Sequence, residues 1–444
     1  MSSITDLSQT KQLLHQRRTL TLHPQDHLIM QLRQVFRFMA QSDYIQQLPP
    51  LTTATLQQCL WSQTQCFDTH HYQYRHLHRA TDADGVQTLR QFIVQDTLPT
   101  IHDYQVWTYQ KAARERSHWR RGWIIVVNDH LRANHRLCQH LLLSGYIRSQ
   151  SPCFGNDEIN FCYAPLIQAV SHNFPLMPPA MQALMPLICR YWNFTCSPKV
   201  LTALANFTPQ ETQTIQTWLQ HLTNVSLMMQ WQAQHQKVSK ALPFMTKKHI
   251  KADHSQVMQH TPLLKYFNMV ELDNDVDLTK FNYFSKLLEQ TLPQLPPVHH
   301  PLALRLRKIR NYHAAGIYFP HFHNIVLDFR DFHNPNVNGV NSFIHEYGHA
   351  LDDDHAVPLS LQPDFQPLLT TIQQQLQTLN LTNLNYYLTP TEVFARCFEF
   401  YWAITLHHTE LVSPQTYYRT APVYHILLPY QAQIAAYFRH VLAH

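Results

Sequence analysis

Between Asn341 and Asp352 the chain carries His345-Glu346-Tyr347-Gly348-His349, an H-E-x-x-H pentapeptide. Wound as a helix, its two histidines stand four residues apart, about 400° round the axis and about 6 Å along it, so both imidazoles leave one face. That spacing lets two nitrogens reach one cation, while Glu346 beside them handles a proton. With 32 histidines in 444 residues the pentapeptide could arise by chance, so the rest of the sequence has to supply a third ligand.

Three candidates compete for that place. His355 stands where an H-E-x-x-H-x-x-G-x-x-H arrangement puts its third histidine. The turn that arrangement needs has Asp352 where glycine is required, and no methionine follows Met269 to make the accompanying Met-turn. An upstream cysteine is the second candidate, but the nearest, Cys196, is about 150 residues away. The third is Glu392. Thr389 is a good N-cap and Pro390 suits the first helical position, so a helix starts there. On it Glu392, Arg396 and Glu399 share one stripe, while Phe394, Phe398 and Tyr401 form another that faces a core. Thr389-x-x-Glu392 also reads as a capping box, in which Glu392 folds back on the backbone of Thr389. Glu399 lies about 10 Å further along the axis, so one ion can take only one of the two glutamates. Glu392 is the expected ligand, leaving Glu399 to pair with Arg396 or to support the ligands from behind.

The stretch H-E-Y-G-H-A-L-D, preceded by A-A-G-I-Y-F and N-I-V-L-D-F and followed by Y-Y-L-T-P-T-E-V-F-A-R-C-F-E, resembles the short gluzincins. These are zinc metallopeptidases with two motif histidines and a downstream glutamate, a group that includes the anthrax lethal factor catalytic domain. The resemblance covers roughly residues 300–405. It implies one Zn2+ per chain held by His345, His349 and Glu392, with Glu346 taking a proton from the attacking water. It also implies an oxyanion-stabilising tyrosine at Tyr386 or Tyr387. In lethal factor that tyrosine stands one position earlier than Tyr386, where this chain has Asn385. A strand before the motif helix is expected to form a sheet edge on which an extended peptide can lie, and residues 324–329 are the candidate. Asp352 either orients a ligand histidine or belongs to a solvated acidic helix end, Asp352-Asp353-Asp354.

Elsewhere the chain is less explicit. Only seven glycines occur, and neither a G-x-x-x-x-G-K-[ST] nor a G-x-G-x-x-G pattern is present, which argues against a phosphate-cradling loop. Residues 1–240 hold 20 Lys+Arg against 13 Asp+Glu, and residues 241–444 hold 14 against 16. The densest basic run, Lys111 to Arg121, reads as a solvated helix face more readily than as a nucleic-acid site. His70, His71, His76 and His78 crowd together, as composition alone would produce in so histidine-rich a chain. The N-terminus is polar and no segment approaches 18 consecutive apolar residues. Neither a secretory signal nor a membrane span is therefore expected, and the eight cysteines, lacking a C-x-x-C pair, fit a reduced cytoplasmic protein.

Residues 1–240 read as mainly helical, with helices at 29–40, 209–220 (capped by Thr208) and 225–236; residues 123–127 fit a strand or a helix equally. From about 241 the texture changes to strands at 267–277 and 302–309, a helix at 278–292 and a hairpin over 314–329. The motif helix and helices at 367–379, 391–406 and 424–442 follow. The expected fold is α+β, mainly helical, with a zincin-like domain at 241–444 built from a small mixed sheet, the H-E-x-x-H helix and a third-ligand helix. The expected activity is zinc-dependent peptide hydrolysis on a peptide or protein substrate. The alternative is a catalytically silent zincin-fold scaffold, against which the intact His345, Glu346, His349 and Glu392 argue.

Overall fold

A computed structural model describes residues 7–14, 20, 22–23, 25–40, 72–79, 104–113, 120–127, 158–163, 207–239, 249–309, 314–329 and 339–441. The chain divides into two compact units, Met1–Thr223 and Asn224–His444.

The first unit opens with helices α1 (Leu7–Leu14) and α2 (Leu28–Ala40). A four-stranded sheet follows: β1 (Tyr72–Arg79), β2 (Tyr104–Ala113), β3 (Arg120–Val127) and β4 (Glu158–Tyr163), in that order. The first three strands are antiparallel and β4 runs parallel to β3. Among the described residues these four segments are strand and not helix, and residues 123–127, which fit either, belong to β3. The reason lies in Tyr104-Gln-Val-Trp-Thr-Tyr and Trp123-Ile-Ile-Val-Val, whose β-branched and aromatic residues favour a pleated surface. The basic run is corrected accordingly. Lys111 pairs with Arg120 across β2 and β3, so these two charges and that of Arg121 stand on strands and not along a helix face, while Arg114 and Arg116 lie outside the described residues. His76 and His78 fall on β1, while His70, His71 and Cys196 lie outside the described residues.

Helix α3 (Pro209–Ser239) starts in the first unit and ends in the second. It begins with a reciprocal cap: Thr208 Oγ1 accepts from the Glu211 N–H at 3.2 Å, and the Glu211 carboxylate accepts from the Thr208 N–H at 2.7 Å.

The second unit contains α4 (Ala252–His260), β5 (Met269–Leu272), α5 (Leu278–Thr291), β6 (Ala303–Arg307), β7 (Gly316–Phe319) and β8 (Asn324–Asp328). There follow α6 (Phe343–Asp353), α7 (Gln366–Gln377), α8 (Leu384–Leu388), α9 (Pro390–Phe400), α10 (Gln415–Thr420), α11 (Pro422–His425) and α12 (Gln431–Val441). The architecture is α+β, mostly helical with a small mixed sheet. Asp277 caps α5 by accepting from the N–H groups of Thr279 and Lys280. The last expected helix is broken by a 3₁₀ turn at Leu428–Tyr430, where Pro429 lacks the N–H that would carry the helix through.

Sheet order is β5-β6-β8-β7, with β5, β6 and β8 parallel and β7 antiparallel at one edge. The edge expected at 324–329 is therefore corrected: β8 is interior and β7 is the edge. The run Asn324-Ile-Val-Leu-Asp is buried along its whole length, as a strand with neighbours on both sides requires, whereas β7 begins at a half-buried glycine.

One face of the sheet (Leu304, Leu306, Tyr318, Ile325, Leu327) joins Phe343, Tyr347 and Leu351 of α6 and Phe394 and Phe398 of α9 in the main core. The opposite face carries a smaller cluster, Ile309, Ile317, Phe319 and Val326, beside the ion pairs of Glu271 with Arg305 and Arg307. Helices α6 and α9 meet closely at Gly348. A Cβ placed there would stand 3.1 Å from the Ala395 Cα, so the missing side chain is what lets the two backbones approach. No helix among the described residues is long and apolar enough to cross a membrane.

Candidate metal centre

Phe343, Ile344, Tyr347, Ala350 and Leu351 repeat at helical spacing and are all buried, which turns His345, His349 and Asp352 of α6 toward α9. The imidazoles of His345 and His349 then lie 4.9 Å apart, nearly perpendicular. From α9 the Glu392 carboxylate closes on both: Oε2 is 3.7 Å from His345 Nε2, and Oε1 is 3.4 Å from His349 Nε2. One donor atom from each of the three residues lies within 4.8 Å of the others, and this cluster could hold a metal ion. The competing capping box does not form. Thr389 makes no side-chain cap to α9, and its hydroxyl donates to the Asn385 carbonyl at 2.9 Å. His355 is exposed and lies outside the cluster.

The far nitrogens of both imidazoles are engaged, which turns each Nε2 inward. His345 Nδ1 faces Glu399 Oε2 at 3.2 Å, and an anionic acceptor requires the proton on Nδ1. Glu399 also accepts from the hydroxyls of Tyr418, at 2.7 Å, and Tyr424. His349 Nδ1 lies 3.0 Å from Thr391 Oγ1, and the Thr391 hydroxyl in turn bonds the Asp352 carboxylate. Asp352 is buried and also accepts from the Ser360 N–H and hydroxyl at 2.6 and 2.9 Å. Of its two readings, Asp352 takes the first: it steadies a histidine through Thr391. Its neighbours are not a solvated run either. Asp353 accepts from the Tyr318 hydroxyl at 3.0 Å, and Asp354 binds His299 and His300.

Charge is balanced within the cluster. Burial alone would push the Glu392 carboxyl up, but His349 and Arg396 hold it well below the usual carboxylate range. Arg396 Nη2 lies 3.0 Å from Glu392 Oε2 and its Nη1 donates to the Glu392 carbonyl, so Arg396 pairs with Glu392 and not with Glu399. Burial would also lower His345, yet its contacts with Glu392 and Glu399 raise it to about 10; burial lowers His349. The donor set fits a cation. Two imidazole nitrogens and one carboxylate form the N,N,O set that a catalytic zinc site uses, and buried Glu392 Oε2 accepts no well-directed hydrogen bond.

Glu346 lies beside the cluster, only 5% exposed. Burial raises its carboxyl to about 7, with the charges of Glu392 and Glu399 adding to the rise and His345 and a bond from the Tyr318 backbone N–H opposing it. Gly316 on β7 makes room for it: a Cβ there would meet Ser342 Oγ at 2.5 Å and Glu346 Cγ at 2.9 Å.

Both expected tyrosines sit on α8, over the Arg396 guanidinium, with ring centres 5.3 Å away for Tyr386 and 4.7 Å for Tyr387. They differ in what the hydroxyl meets. Tyr386 leaves 43% of its surface exposed, but its hydroxyl end is buried, and that burial, the Glu392 charge and a hydrogen bond to Glu392 keep it protonated. Tyr387 is half-buried and packs against the main core.

Thr391 and Ser360, which the sequence reading gave no role, steady His349 and Asp352, and three further residues of the site also escaped it. Tyr418 and Tyr424 come from short helices near the C-terminus that carry no motif. Trp231, on α3, donates its indole N–H to Glu392 Oε1 at 3.1 Å and lies ahead of the residue 241 boundary drawn from texture. A broad open cavity of about 510 Å³ between α4 and α5, lined by His260, Phe281, Lys286 and Glu289 among others, involves none of these residues. Comparison with family models, curated proteins and solved structures gives no match to this chain.

Proposed function

We propose that this chain is a zinc-dependent peptidase of gluzincin type, with a zincin-like domain in the second unit. The observation that carries the reading is the convergence of His345 and His349 on α6 with Glu392 on α9, beside a buried Glu346 whose carboxyl is raised to about 7. Zinc bound there would supply Lewis-acid polarisation of water and of the scissile carbonyl.

The protein groups have separate tasks. Glu346 takes the proton of the attacking water and passes it to the leaving amine, a task for which its buried place beside the cluster suits it. The Tyr386 hydroxyl, protonated and directed at the cluster, donates to the oxygen that becomes negative as the carbonyl is attacked. Glu399 and the Thr391–Asp352 pair keep the two imidazoles from turning. The edge strand β7 offers backbone groups along which an extended peptide can add as a further strand.

The test is metal analysis of purified protein together with Glu346→Gln. About one zinc per chain is expected in both, with cleavage of a peptide library present in the parent and abolished in the variant. Protein supplied with zinc that binds none removes the metal reading. Zinc without cleavage of any peptide favours a silent scaffold instead.

A further inference from the structure

Helix α3 contributes a hydrogen bond to the metal centre that the H-E-x-x-H motif does not account for. Trp231 is buried and donates Nε1–H to Glu392 Oε1 at 3.1 Å, the oxygen that stands 3.4 Å from His349 Nε2. Its ring centre lies 5.2 Å from that of His349 and 4.1 Å from that of His235, one turn further along α3. Arg396 holds the other carboxylate oxygen at 3.0 Å, so Glu392 is gripped on both oxygens by groups from two helices.

The two grips differ in kind. Arg396 supplies charge as well as direction. An indole N–H is a neutral donor with no acceptor capacity, so it can neither replace a cation nor neutralise the carboxylate; it can only fix the plane in which the carboxylate lies. Further up the helix, α3 is tied to the segment that carries Glu392. The Asn224 side-chain carbonyl accepts from Gln373 Nε2 at 2.9 Å, and Gln373 Nε2 also donates to the Leu388 carbonyl at 2.6 Å, immediately before Thr389 and α9. The indole is thus delivered to Glu392 by a helix that is itself fastened next to α9.

We propose that Trp231 is a positioning residue for the metal: its indole N–H orients Glu392 and thereby sets the affinity of the His345–His349–Glu392 cluster for zinc. The inference rests on reading that cluster as a zinc site. Hydrogen-bonding partners behind a ligand typically change metal affinity by about 10–100-fold.

Trp231→Phe removes the donor and keeps a ring. Trp402→Phe is its control, because Trp402 is equally buried in the same unit and its N–H meets no acceptor among the described residues. Zinc affinity is read by chelator competition on the full chain. The expected result is a loss of about 10–100-fold in Trp231→Phe and none in Trp402→Phe. Unchanged affinity in Trp231→Phe, or equal losses in both variants, overturns the proposal. Should Trp231→Phe not fold, the parent protein carries the test through its Trp231 indole N–H resonance, which is expected to shift in step with zinc saturation. A resonance that stays still while zinc binds overturns it. A parent chain that binds no zinc brings down the zinc reading first and this inference with it, which separates the two failures.

Discussion

Glu399 accepts the Nδ1–H of His345 at 3.2 Å from a position two helical turns beyond Glu392 on the same helix. One helix thus supplies both a donor to the cluster and the group that aims a second donor. Glu399 is also the shared acceptor of Tyr418 and Tyr424, so its carboxylate is fixed before it fixes anything else. Glu399→Gln is expected to keep zinc at about one per chain but to weaken affinity by about 10–100-fold, whereas Glu392→Ala loses the metal. Chelator competition distinguishes them, and an unaltered affinity in Glu399→Gln would show that His345 needs no such support.

Tyr386→Phe tests the oxyanion role. Zinc content and KM are expected to stay as in the parent while kcat falls by about 10²–10³-fold, the usual cost of losing one donor to a developing negative oxygen. Tyr387→Phe, whose ring packs on Arg396 and the core, is expected to cost far less in kcat. Equal losses in the two variants would remove the distinction between them.

Two glycines separate activity from stability. In Gly316→Ala the new methyl meets the ends of movable side chains, Ser342 Oγ and Glu346, so the carboxyl shifts and turnover drops while the unfolding midpoint changes little. In Gly348→Ala it meets the Ala395 backbone at 3.1 Å. Helices α6 and α9 must then part, at about 1–3 kcal/mol, and zinc affinity falls with stability. Urea unfolding beside a peptidase assay reads both, and the opposite pattern would count against this packing.

Asp354 gives a pH-dependent contribution. Burial would raise its carboxyl, but bonds from the backbone N–H groups and imidazoles of His299 and His300 bring it below the usual carboxylate range. A group whose folded value is depressed stabilises fully above its unfolded value, near 3.9, and loses that contribution as pH falls through the lower folded value. Asp354→Asn is therefore expected to be less stable than the parent at neutral pH, with the gap closing below about pH 4. A gap that stays constant across urea titrations from pH 3 to 7 would assign the loss to packing instead.

The parts of the site that could be read from sequence are those whose geometry is local. His345 and His349 share a face because of helical spacing alone, and the Thr389-Pro390 start sets Glu392 on the first turn of α9. What could not be read depends on contacts between distant segments. The edge position of β7 is decided by which hairpin strand docks on β6, and the apolar run 324–329 shows burial but not its neighbours. Tyr418 and Tyr424 look like ordinary core tyrosines until Glu399 is placed between them. Trp231 lies 161 residues from its acceptor, beyond the reach of any periodicity. In the first unit, residues 123–127 fit a strand or a helix equally, because a short apolar run has no period of its own; the pairing of β3 with β2 and β4 decides for strand.

The aromatic packing between α9 and α12 bears on how an ion would come and go. Phe394 and Phe398 stack edge-on against Phe438 at 5.3 and 5.4 Å, and Phe365 meets Phe394 from α7's side at 5.3 Å. The side of α9 away from the cluster is thus held by hydrocarbon packing. Folding has already met the entropic cost of gathering the chelating groups, so a chelator should strip the protein without unravelling it. On the zinc reading, the stripped chain is expected to take up a different divalent ion in the same cradle, in contrast to small zinc modules whose fold exists only while the metal is bound.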